Sequence, residues 1–111
     1  MILPNATSAF IDDTKLLDYC LSFEHEEGKH KARVFQSALG ITQSNFSVLK
    51  TAIMTAIQEE NAVLTNEISF GRLYRVDFDM PHEAKNARIR TGWIVKNTED
   101  FPRLTTCFVI D

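Results

Sequence analysis

The chain has 111 residues, of which 44% are hydrophobic and 24% charged, with a formal net charge of −3. That length fits one domain over residues 1–111, and the composition excludes a disordered tail. The negative charge excludes coating of nucleic acid through bulk electrostatics, though a local basic site stays compatible with it.

Residues 1–11 mix Pro4 and small residues with Leu3, Phe10 and Ile11, and read as an extended lead-in. Asp12, Asp13 and Thr14 supply N-cap candidates for a short helix carrying Leu16, Leu17, Tyr19, Cys20 and Leu21. The polar stretch from Ser22 to Gly28 reads as a loop. A second helix is expected from about Gly28 to Leu39, ended by Gly40, which tolerates positive φ. Ser44 can cap a third helix running to about Glu60. Its apolar residues Leu49, Ile53, Ala56 and Ile57 form one helical stripe.

After Asn61 the hydrophobic period changes to two. Strands are expected over 72–80, 87–96 and 103–110, with a fourth over 64–69. The fold class is therefore α+β, three N-terminal helices followed by a three- or four-stranded antiparallel sheet. Charge sets the register of the middle hairpin: Asp79 opposite Arg88 puts Asp77 opposite Arg90 on one face. The same register sets Phe78 against Ile89, Val76 against Thr91 and Tyr74 against Trp93 on the other. Strict alternation then aims Leu104, Thr106, Phe108 and Ile110 at the Trp93 face. It sends Leu73, Ile94, Cys107 and Val109 to the opposite face, an apolar patch suited to a lead-in segment or to a homodimer.

Two cysteines do not make a disulfide framework, and a buried free thiol is the expectation for each. No apolar run approaches the ~20 residues that span a bilayer, and Met1-Ile2-Leu3-Pro4-Asn5 lacks a signal-peptide pattern. No membrane association is expected, and the localisation expected is cytoplasmic.

The densest reactive cluster is Glu24-His25-Glu26-Glu27-Gly28-Lys29-His30-Lys31-Ala32-Arg33, where a loop enters a helix. A helix N-terminus attracts anions, His25 and His30 can exchange protons near neutral pH, and Lys31 or Arg33 can meet phosphorane-like charge. The bland reading is a solvated, locally paired helix start. His25 and His30 lack a second ligand pair, and no HExxH or paired CxxC occurs, so neither a metal nor a cofactor is expected. Arg88 and Arg90 have cross-strand partners, whereas Arg72, Arg75 and Arg103 are open candidates for phosphate. Thr91, Thr105 and Thr106 suit strands without a special role.

Leu3-Pro4-Asn5-Ala6, the run His25–Phe35, Thr91-Gly92-Trp93-Ile94-Val95 and Pro102-Arg103-Leu104-Thr105-Thr106-Cys107 together resemble a family of small bacterial domains, common in cyanobacteria. That family has an HxxGxxKAxxF motif and a late tryptophan strand, and it brings no established activity with it. More distantly, helices followed by a four-stranded antiparallel sheet are similar to the barnase–EndoU–colicin–RelE group of toxin ribonucleases. That resemblance implies metal-independent RNA cleavage and a cognate antitoxin or immunity protein. Carried over by position, it implies His25, Lys31 and Arg33 as catalytic residues, with Lys29, His30, Arg90 and Arg103 on RNA phosphates. The acidic chain departs from the basic charge of many such toxins. The competing reading is a non-catalytic interaction or immunity-like module, which the acidic first half and the apolar second sheet face suit.

Overall fold

The computed structural model describes residues 1–110. A single turn of α-helix at Asp13–Lys15 continues as a π-helix at Leu16–Cys20, together α1. The Asp12 side chain caps it by accepting the hydroxyl and the N–H of Thr14, and those bonds, the hydroxyl's first, lower the Asp12 pKa. The wide turn closes when Leu21 N–H donates to Leu16 C=O at 2.8 Å, an i→i+5 bond. Next come α2 (Lys29–Leu39) and α3 (Phe46–Ala56). Gly40 ends α2 at φ 68°, donating to Gln36 while Ile41 N–H reaches Phe35. His82 closes the same helix end, since its Nδ1 lies 2.7 Å from Leu39 O and must donate. His82 is the last residue of β2 (Gly71–His82), which this bond ties to α2.

The sheet is a meander of β1 (Ala62–Ile68), β2 (Gly71–His82), β3 (Lys85–Lys96) and β4 (Arg103–Val109), in the order β1-β2-β3-β4. The β2–β3 register is the one charge and aromatic pairing require. Asp79 faces Arg88, Asp77 faces Arg90, Phe78 faces Ile89 and Tyr74 faces Trp93. One face of the sheet joins the helices in a single core that includes Leu16, Phe35, Leu39, Leu49, Ile53, Val76, Phe78, Ile89 and Trp93. Among the described residues, Thr91 is the one polar or charged residue buried there. It accepts the Trp93 indole N–H at 2.8 Å and donates to Val76 C=O at 2.7 Å, so no polar group is stranded.

β4 departs from strict alternation. Gly92 pairs with Thr106 but Trp93 pairs with Leu104, so Thr105 is an extra residue, a β-bulge. Leu104 faces Trp93 as expected. Past the bulge every side chain changes sides, a direct consequence of the two-residue period. Cys107 and Val109 turn into the core, while Thr106 and Phe108 leave it. Of the apolar second face expected from Leu73, Ile94, Cys107 and Val109, only Leu73 and the already buried Ile94 remain, and Phe108 joins them there.

The lead-in is only partly extended. Leu3 and Ala6 enter the core, the latter within a short 3-10 turn, and Phe10 forms a parallel bridge with Arg103. Phe10 N–H donates to Pro102 C=O, and Leu104 N–H to Phe10 C=O. The lead-in thus runs from the start of β1, where Met1 C=O accepts the Ala62 N–H, to the outer edge of β4 at Phe10, and does not cover the second face.

Candidate functional site

The segment entering α2 is built around His25. Ser22 Oγ accepts the N–H groups of Glu24 and His25. His25 Nδ1 accepts those of Glu27 at 3.1 Å and Gly28 at 3.0 Å, supplying acceptors that a helix start lacks. A backbone N–H can only donate, so the neutral imidazole carries its proton on Nε2. Nε2 has no hydrogen-bond partner among the described residues. The ring stands edge-on to Tyr19 of α1, centroids 4.5 Å apart. Gly28 is required where α1 and α2 meet, because a Cβ there would lie 2.1 Å from the Tyr19 carbonyl oxygen.

Lys31 lies one turn into α2, beside the buried Ala32. Its ammonium sits 5.1 Å from the centroid of Tyr19 and 4.9 Å from that of Phe108 on β4, a cation held between two ring faces. It donates to Thr106 Oγ1 at 3.4 Å. The bulge makes this contact, since with Thr105 as an ordinary alternating strand residue Thr106 would face Trp93. The HxxGxxKAxxF pattern thus has a physical reading. His25 caps, Gly28 permits close approach, Ala32 and Phe35 pack in the core, and Lys31 is delivered to the edge of β4.

Beyond Thr106, on the sheet face away from the helices, lies an open concavity of about 290 Å³. Leu73, Arg75, Arg90, Gly92, Thr105 and Phe108 are among its lining residues. Arg90 makes two bonds of 3.0 Å to the Asp77 carboxylate, and Arg75 Nε approaches the same carboxylate at 3.8 Å. The bond to Asp77 raises the pKa of Arg90. One carboxylate therefore answers two guanidiniums, and the face keeps a positive excess.

The other candidates lie apart. Arg103, at the start of β4, forms a two-pronged pair with Glu99 at 2.8 and 2.6 Å and lies against the Phe10 and Phe101 rings. Arg33 is exposed. It stands about 200° around α2 from Lys31, so the two cations occupy opposite flanks of the helix. His30 is exposed as well, and Lys29 makes a long ion pair with Glu26 at 3.8 Å. Of the candidates, the fold brings together His25 and Lys31, through Tyr19, and joins Lys31 to the Arg90 concavity through Thr106.

Cys20 accepts a hydrogen bond from the Cys107 backbone N–H. Both thiols are buried and free, and burial pushes both pKa values up, that of Cys107 well up. Neither is arranged as a thiolate nucleophile. Among the described residues, no group of three or more His, Cys, Asp or Glu converges as a metal site. Nor is any helix long and apolar enough to cross a membrane.

Tyr19, Thr105, Thr106 and Phe108 escaped the sequence reading as site residues. The available signal was Gly92, since a glycine inside a strand often marks a bulge or a close approach. Here a Cβ on Gly92 would meet Thr106 Cγ2 at 2.8 Å and Thr105 Oγ1 at 3.0 Å.

Fold and site define a small α+β domain whose meander sheet carries, at one edge, a lysine held by aromatics beside a bulged pair of threonines. The chain belongs to the family described as a domain of unknown function (DUF6883), which matches residues 2–111. No curated protein and no solved structure matches it.

Proposed function

We propose that the protein is a metal-independent ribonuclease, the toxin of a toxin–antitoxin-like pair, acting at the corner formed by His25, Lys31 and Thr106. The observation that carries this reading is the seat of Lys31. An ammonium fixed between Tyr19 and Phe108, touching a hydroxyl, at the rim of a face bearing Arg75 and Arg90, is a preorganised anion site in an acidic chain. In the reaction, the RNA 2′-oxygen bonds to the adjacent phosphorus and its proton passes to solvent. The P–O5′ bond breaks and the departing oxygen takes up a proton, leaving a 2′,3′-cyclic phosphate. Lys31 and the Thr106 hydroxyl meet the charge growing on the non-bridging oxygens. His25, with Nδ1 engaged by the α2 cap, offers Nε2–H as a further donor rather than serving as a base. Lys29, His30 and Arg33 are available along α2 to flanking phosphates.

The test is digestion of total RNA by wild type, Lys31→Ala and His25→Asn, the asparagine keeping a cap acceptor while removing Nε2. Wild type is expected to give discrete fragments, and Lys31→Ala to cleave about 100-fold more slowly. RNA methylated at every 2′-oxygen is expected to resist. Intact RNA with wild type, or unchanged cleavage by both variants, would end the assignment.

A second reading, a protein-interaction module, is favoured by the outer edge of β1, where Val63 and Leu64 are 40% and 44% exposed. It predicts a stable homodimer or a complex with a cognate partner such as an immunity-like protein. Light scattering that shows a monomer at every concentration would remove the dimer version.

A further inference from the structure

We propose that the concavity over Gly92 is a seat for one nucleotide of single-stranded RNA, adjoining the Lys31 corner; this inference rests on the ribonuclease reading. Three observations carry it. The bulge at Thr105 brings two consecutive hydroxyl side chains over Gly92, whose missing Cβ leaves them room. Bulges of this kind re-aim side chains next to functional sites. The local charge opposes the global one. Lys31, Arg75 and Arg90 against Asp77 leave an excess of two positive charges in a chain of net −3.

The lining combines an aromatic ring and an aliphatic wall, Phe108 and Leu73, with Arg75, Arg90 and the two hydroxyls, and Lys31 adjoins it through Thr106. A ligand complementary to it has a flat, weakly polar part for Phe108 and Leu73 and an anionic part for Arg75 and Arg90. A nucleobase joined to its phosphate has both. The volume, about 290 Å³, is at the small end for a ligand site and suits a single such unit. Base–aromatic stacking is tolerant of sequence, so a weak base preference is expected here.

The experiment uses a fluorescein-labelled hexaribonucleotide methylated at every 2′-oxygen, which reads binding without cleavage, by anisotropy at low salt. Arg75→Ala is expected to weaken binding about tenfold, the worth of one charge-assisted phosphate contact. Arg88→Ala removes the same charge from the same sheet face outside the concavity, and is expected to change binding less than twofold. Thr105→Val is expected to weaken it severalfold. Equal losses in Arg75→Ala and Arg88→Ala would indicate diffuse attraction and overturn the seat, as would absence of wild-type binding. If wild type leaves natural RNA intact while Arg75→Ala selectively loses binding, the seat stands and the ribonuclease reading falls. If natural RNA is cleaved and Arg75→Ala matches wild type in both binding and kcat/KM, the seat falls and the ribonuclease reading stands.

Discussion

The two edges of the sheet are treated in opposite ways. Along β4, Phe10 bridges the strand, Cys20 accepts the Cys107 N–H, and Lys31 spans the edge between Tyr19 and Phe108. Along β1, Met1 C=O accepts the Ala62 N–H. Beyond that point, no backbone hydrogen bond joins the outer edge to another segment among the described residues. An open edge is a template for other strands, and proteins blunt it with charge, proline or bulges. Here β1 has Glu67 and a bulge at Thr65. The sealed edge carries the proposed site, since sealing is what fixes Lys31 in place. The lesson is that one set of contacts both closes an edge and orients a cation.

Four perturbations sharpen or break this contrast. The largest effect is expected from Gly28→Val, which forces side-chain atoms into the Tyr19 carbonyl and separates α1 from α2. A loss of about 3 kcal/mol in urea unfolding is expected, as for overpacking without room to relax. A wild-type midpoint would show that the α1–α2 junction does not support the sealed edge. Next is Lys31→Met, which keeps an apolar stem between the rings and removes only the cation. Stability should fall by less than about 1 kcal/mol, the scale of a partly exposed cation–π contact, while RNA cleavage is lost. A large stability loss would make Lys31 a packing residue first.

Acid should act selectively at the sealed edge. The Arg103 hydrogen bond lowers the Glu99 carboxyl below its ordinary value of 4.5. A group with a depressed folded pKa stabilises the fold above its unfolded pKa, and that contribution disappears as pH falls through the folded pKa. Amide exchange in the 97–102 loop and at Phe10 should therefore quicken below about pH 4.5 in wild type. Glu99→Gln should show that fast exchange already at neutral pH. Equal exchange in the two proteins would show that the pair does not hold the lead-in. The smallest effect is expected from Leu64→Lys on the open edge. Stability should change by no more than about 0.5 kcal/mol, as for exposed sites generally. Any self-association seen by light scattering should fall.

Much of this architecture is legible in the sequence, for identifiable reasons. The Asp77, Asp79, Arg88 and Arg90 charges admit one hairpin register, and the same register pairs Tyr74 with Trp93. The i, i+4 stripe of α3 and the Gly40 terminator are local signals that tertiary packing does not override. The bulge at Thr105 is not legible from alternation, which assumes one residue per strand position, and Gly92 is its only local sign. One extra residue therefore misassigned Thr106, Cys107, Phe108 and Val109 together. The site was half visible. His25, Gly28 and Lys31 lie close together in the chain, but Lys31 is seated by Tyr19, twelve residues earlier, and by Phe108, seventy-seven later. Pairings of that span arise only from the meander. Arg103 looked free because Glu99 lies in a loop, and neither period of two nor of 3.6 predicts a loop-to-strand pair.

Trp93 gives the molecule a built-in optical probe. It is the only tryptophan, fully buried, with its indole N–H committed to Thr91, and its strand neighbour Gly92 underlies the concavity. Its emission should be blue and resistant to aqueous quenchers in the native protein, moving red on unfolding. Filling the concavity should change its intensity without that red shift. One fluorophore can thus separate a chain that has lost its fold from one that has gained a ligand, with no label added.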